Sequence, residues 1–141
     1  ELFCGEKIIL RQTGDTIIAA YDTTNIFTLD SVMNIKLKQG IDYKFILGCL
    51  NSSYFNFLYQ NRAQESGRGF AQVKPQNVRA LPIPKMEKNE QEKICHNVNL
   101  ALEKMKQQDA DISSILKKID TVLYDFFGLS KEEISLIERK N

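Results

Sequence analysis

The sequence is poor in the side chains that most enzymes and metal sites use. It has one histidine, His96, and three cysteines, Cys4, Cys49 and Cys95, none of them in a C-x-x-C pair. One imidazole and three scattered thiols do not have zinc-site spacing, and an odd, unpaired set is no disulfide framework. It reads as the thiol content of a protein kept in a reducing, cytoplasmic compartment. No G-x-G-x-x-G, P-loop, H-E-x-x-H or G-x-S-x-G motif is present, which removes the usual dinucleotide, phosphate, zinc-hydrolase and serine-hydrolase readings. No secretory leader is visible, and no apolar run reaches the roughly eighteen residues of a bilayer span. The longest candidate, residues 43–59, is broken by Lys44, Gly48, Asn51 and Asn56. The sequon Asn51-Ser52-Ser53, without a leader, is read as chance. His96 falls mid-helix and reads as structural or solvent-facing. The carboxylates fall on solvent faces, with Glu132-Glu133 suited to a helix start. The expected catalytic set is therefore none, and so is the expected metal set.

Net charge is also nearly absent, at +1, but its distribution is uneven. Residues 1–85 hold ten Lys/Arg against seven Asp/Glu, a net of +3, and residues 86–141 hold nine against eleven, a net of −2. Any nucleic-acid surface is expected in the first part. A hydrophobic content of 43% and a charged content of 26% are ordinary for a folded protein, and 141 residues suit one domain, or one domain with a helical appendage. The chain opens at Glu1, not at methionine, so a longer parent chain is expected.

Residues 7–11 and 16–21 are β-branched and apolar, with Gly14-Asp15 between them to turn a hairpin. Residues 25–29 and the alternating run 31–37 read as two more strands. Asp42 is an N-cap for one long, buried helix over about 43–60. Gly67-Arg68-Gly69 lies in a polar loop. It is read either as a loop offering N–H groups and a guanidinium to a phosphate or guanine edge, or as a solvated hinge. A short strand at 70–73 and a single helical turn from Pro75 to Val78 follow, and residues 81–84 (Leu-Pro-Ile-Pro) must be extended. A stripe of Ile94, Val98, Ala101, Leu102 and Met105 predicts a helix over 89–108, and a second stripe predicts one over 111–127. Gly128 stops the latter, and Ser130 with Glu133 forms a capping box for a last helix through Glu138. The expected fold is α+β: a small mixed β-sheet domain with one buried helix over 1–85, then two to three helices over 86–141, packing on it or on the parent enzyme.

The order of several short motifs is more specific than any one of them. Leu50-Asn51-Ser52-Ser53 is followed by Gly69-Phe70, Val73-Lys74, Val78, the Leu-Pro-Ile-Pro run, Gln91 and Ile94. Ile119-Asp120, Val122-Leu123-Tyr124, Phe127-Gly128-Leu129-Ser130, Glu133-Ile134 and Ile137-Glu138 come last. From about Lys7 to Glu138 this resembles the C-terminal specificity domain of TaqI-like adenine-specific DNA methyltransferases and of type IIG restriction enzymes. Type I specificity subunits share the central part of the pattern.

The resemblance implies sequence-specific recognition of double-stranded DNA in a bacterial restriction–modification system. It implies that S-adenosylmethionine and the Asn/Asp-Pro-Pro-Tyr/Phe motif for adenine N6 methylation belong to a catalytic methyltransferase domain of the same parent chain. That motif is absent here, and no cofactor is expected in this fragment. Asn51-Ser52 and residues 81–84 are then scaffold. The expected DNA-binding residues are the polar and basic ones between the motifs, Arg62, Gln64, Arg68, Gln72, Lys74, Gln76, Asn77 and Arg79, with Arg11 and Gln12 by the hairpin. Two alternatives stay open. One is a fragment of a type I specificity subunit. The other is a helical protein-interaction domain without DNA binding, in which the two helical stripes meet a partner.

Overall fold

In the computed structural model, which describes residues 2–63 and 68–140, the first forty positions build a three-stranded sheet. Its strands are β1 (Lys7–Arg11), β2 (Ala19–Asp22) and β3 (Val32–Ile35), in the order β2-β1-β3. Both pairings are antiparallel, so the sheet is not the mixed one expected. Lys7 pairs with Asp22 and Leu10 with Ala19 on one side; Ile8 pairs with Ile35 and Arg11 with Val32 on the other.

This register explains why residues 25–29, read as a strand, are not one. β2 ends beside the start of β1, and β3 begins beside its end, so residues 23–31 must cross the length of the central strand. Both edges of β1 are already filled, leaving the crossing segment no ladder there. It is pinned by side chains instead. Asn25 Oδ1 accepts the N–H of Gly5 at 2.9 Å, and the Phe27 ring lies 5.0 Å from that of Phe3. Ile26, Phe27 and Leu29 remain exposed.

β1 buries Ile8 and Leu10 completely, and Lys7 with them. The Lys7 ammonium donates to Asp22 Oδ2 at 2.5 Å, to the Thr24 carbonyl at 2.6 Å and to the Phe3 carbonyl at 2.8 Å. A buried cation is tolerable when it is so surrounded by oxygen.

Helix α1 (Tyr43–Leu50) packs on the sheet and starts where Asp42 Oδ1 accepts from the N–H groups of Lys44 and Phe45. The single long helix expected is broken after Leu50, and α2 (Ser53–Ala63) begins anew. At the break two polar side chains take backbone partners, Asn51 on a neighbouring strand and Ser52 within the turn itself. Asn51 Oδ1 accepts the N–H of Ala19 and Asn51 Nδ2 donates to the Ala19 carbonyl, both at 2.9 Å. Buried Ser52 donates to the Cys49 carbonyl at 2.7 Å and accepts from the Phe55 N–H at 3.1 Å.

Pro75 opens the short helix α3 (Pro75–Arg79), and the strand expected at 70–73 shrinks to one bridge between Gln72 and Thr13. The last three helices are α4 (Lys88–Lys104), α5 (Ser113–Phe127) and α6 (Lys131–Lys140). α4 ends before Met105, which is 59% exposed and therefore not part of the stripe assigned to it. α5 stops at Gly128, whose φ of 62° is left-handed, and the Ser130–Glu133 capping box closes with two bonds of 3.1 Å.

Gly48 sets how closely α4 approaches α1. A Cβ there would lie 2.5 Å from Ile94 Cγ2 and 3.0 Å from Val98 Cγ2. Ile94, Val98, Ile119 and Leu123 join Ile8, Leu10, Phe45 and Leu50 in one core, so the helices after Pro84 share their burial with the sheet.

Candidate nucleic-acid interface

The β1–β2 connection and the segment after Arg68 are stitched together through their backbones. Gly14 N–H donates to the Ala71 carbonyl at 2.9 Å, and Val73 N–H donates to the Gln12 carbonyl at 2.7 Å. Gln12 N–H reaches the Ser31 carbonyl at 3.0 Å, and the Tyr59 hydroxyl reaches the Gln72 carbonyl at 3.4 Å. Two buried aliphatic residues, Ile17 and Val73, anchor the rim from below. Ile17 is held further by its N–H, which donates to Asn56 Oδ1 at 2.7 Å.

This rim encloses a shallow depression of about 380 Å³ lined by Thr13, Asp15, Arg68, Phe70 and Gln72. Arg11 stands beside it at the end of β1. Its guanidinium covers Gly14 so closely that a Cβ would sit 2.8 Å from Nη2. Arg11, Arg68 and Gln72 are exposed and Gln12 is half-buried. The structure thus brings together four residues from two parts of the sequence, Arg11 and Gln12 with Arg68 and Gln72.

The other expected contacts are arranged along the chain beyond this rim. Lys74 is exposed at the N-cap of α3, Gln76 is exposed, and Asn77 is half-buried. Arg79, in the last turn of α3, lines a separate and larger groove of about 530 Å³ between α3 and β3, together with Lys36. Arg62 is exposed in the last turn of α2. Gln64 lies outside the described residues.

Two residues outside the expected contact set also line these hollows, Phe70 and Lys36. Phe70 looks like a strand residue in the sequence, yet it is 99% exposed. Its glycine-preceded, cation-rich surroundings were the available signal. Lys36 donates to the carbonyls of Cys4 and Glu6, contacts no local pattern reveals.

Among the described residues no three His, Cys, Asp or Glu side chains cluster as a metal site. His96 is exposed on α4. Burial pushes the Cys49 thiol up to about 12 and Cys95, half-buried, to about 11, which leaves both poor nucleophiles. No helix among the described residues is long and apolar enough to cross a membrane.

Residues 1–83 match the model of the TaqI-like C-terminal specificity domain family. The chain belongs to this family. The matched stretch runs from β1 through α3 and contains every candidate contact residue, while α4, α5 and α6 lie beyond it. No curated protein matches the chain. By that family it is a specificity domain of the TaqI-like type.

Proposed function

We propose that this specificity domain reads double-stranded DNA sequence for a type IIG-like restriction–modification enzyme that methylates adenine N6. Methyl transfer and S-adenosylmethionine binding then belong to a catalytic domain of the same parent chain. The observation that carries the reading is the stitched rim that gathers Arg11, Gln12, Arg68 and Gln72 within the matched stretch. Its backbone groups are bonded within the protein while its side chains reach solvent. Such a platform holds position while its side chains differ from one specificity to another.

In this reading Arg11 and Arg68 take guanine O6/N7 and Gln12 and Gln72 take adenine N6/N7, since these pairs match donor and acceptor geometry in the major groove. Lys74 and Arg79 take phosphates, and Gln76, Asn77 and Arg62 extend the contact along the duplex. The interaction-domain alternative is less supported, because Ile94, Val98, Ile119 and Leu123 of its two stripes are buried in the chain's own core, although Met105 and others of those stripes are not. A second copy of the motif pattern in the parent chain would instead mark a type I specificity subunit.

The test is fluorescence anisotropy of a labelled random-sequence duplex titrated with the protein across a salt series. Affinity falling linearly with log salt, with a slope that drops by about one for each phosphate-contacting cation removed, supports the reading. Absence of duplex binding at low salt by the protein joined to its catalytic domain would sink it.

A further inference from the structure

The contacts assigned above are polar or cationic and leave out the most exposed apolar side chain of the chain's described residues. Phe70 is 99% exposed, and among the described residues no aromatic ring pair includes it. Its backbone, by contrast, is held. The Ala71 N–H donates to the Arg68 carbonyl at 3.3 Å across Phe70, and the Ala71 carbonyl accepts from Gly14 at 2.9 Å. The next residue, Gln72, bridges to Thr13. The ring is therefore carried on a fixed turn. On its N-terminal side Gly69 stands open, since a Cβ there would meet nothing within 4 Å.

The surroundings decide what such a ring fits. An apolar protein partner calls for a contiguous apolar patch. The depression beside Phe70 has no second large apolar side chain, and is lined by Thr13, Asp15, Arg68, Gln72 and small residues. One aromatic ring beside Arg68, with the Arg11 guanidinium over nearby Gly14, suits a polymer that alternates flat apolar bases with phosphates. Proteins that use such a ring on a duplex press it between base pairs and unstack a step, with cations on the phosphates either side.

We propose that Phe70 is a base-stacking wedge that presses into the duplex at one step, with Arg68 and Arg11 on the flanking phosphates or base edges. The inference rests on the DNA-reading function proposed above.

The chain contains no tryptophan, so the variant F70W carries a single indole reporter at this position. Its emission is recorded during titration with a duplex, alongside the affinities of wild type, F70L and F70A at several salt concentrations. Stacking predicts quenching of the indole on binding. It also predicts a loss of about fivefold to a hundredfold in affinity for F70A and a smaller loss for F70L. The salt slope stays unchanged, because no cation is removed. Wild-type binding with F70A within about twofold and unquenched F70W emission overturns the wedge and leaves the DNA-reading function standing. F70A that leaves DNA affinity unchanged but loosens the docking of the catalytic domain within the parent chain, seen as faster hydrogen exchange at their contact, overturns it in favour of a protein contact. Failure of the wild type, joined to its catalytic domain, to bind duplex at all removes both proposals.

Discussion

The carboxylate of Asp120, on α5, accepts the backbone N–H of Ser53, the first residue of α2, at 2.8 Å and across 67 positions of chain. α2 is the element that steadies the rim, through Tyr59 on the Gln72 carbonyl and Asn56 on Ile17. Asp120 thus connects the helices outside the family-matched stretch to the rim inside it. A helix start leaves backbone N–H groups without partners in the helix, and a carboxylate placed there also meets the positive end of the helix dipole.

Burial raises the Asp120 pKa, an effect that the hydrogen bond from Ser53 opposes and nearby Glu138 reinforces. A carboxyl whose folded value is raised costs stability when ionised, and that cost disappears as pH falls through the raised value. Asp120→Asn keeps the acceptor and removes the charge. It is expected to melt at or above the wild-type temperature near neutral pH, with the difference shrinking as pH drops below the raised value. Asp120→Ala removes the acceptor and is expected to lose about 1–2 kcal/mol at all pH values. Thermal melts of the three proteins across the acid range check both.

Asp22 is shifted the other way, held below the usual carboxylate range chiefly by its hydrogen bond from Lys7. Its contribution is complete above the ordinary carboxylate value and is lost as pH falls through the lowered one. The two partners differ in burial, Lys7 at 0% and Asp22 at 12% side-chain exposure. Asp22→Asn leaves a fully buried ammonium with weaker acceptors, whereas Lys7→Met leaves a carboxylate that water can reach. Asp22→Asn is therefore expected to destabilise more than Lys7→Met in urea unfolding near neutral pH. The reverse order would show that the sheet tolerates the ammonium without its counter-ion.

Asn51 gives β2 a substitute for a neighbouring strand by bonding both backbone groups of Ala19. Asn51→Ala leaves a part-buried N–H and carbonyl unmatched and is expected to cost about 1–3 kcal/mol. Asn51→Asp retains the acceptor and loses the donor, so it should fall between the two. Hydrogen exchange at Ala19 provides the local readout, with faster exchange in Asn51→Ala than in wild type. Unchanged protection would mean that the side-chain pair does not hold the edge.

What was legible in the sequence is what short-range chemistry decides. The Asp42 cap, Pro75 at a helix start, the Gly128 stop and the Ser130–Glu133 box each depend on partners a few residues away, and each stands where expected. The break at Asn51 was hidden because its partner Ala19 is 32 residues off, and residues 25–29 failed as a strand because the edges of β1 are taken by β2 and β3. The rim shows the same division. Arg11, Gln12, Arg68 and Gln72 could be named singly, but their meeting follows from the bonds of Gln12 and Gly14 to Val73 and Ala71. Solvent exposure of Phe70 follows from that same stitching and has no counterpart in the hydrophobicity of its segment.

Gly14 offers a test of the interface that leaves every charged residue in place. Its φ of +107° is a region that side chains rarely adopt, and a Cβ would stand 2.8 Å from Arg11 Nη2. Gly14→Ala must therefore strain the turn and move the Arg11 guanidinium from its present position. If Arg11 contacts DNA from that position, Gly14→Ala lowers duplex affinity by about fivefold to thirtyfold, close to the loss from Arg11→Ala. The double variant then loses little more than either single one, because both changes remove the same contact. Lys131→Ala, on α6 and outside the matched stretch, should leave affinity unchanged. Additive losses in the double variant would show that the strain acts through the rim as a whole, and unchanged binding in both single variants would remove Arg11 from the interface.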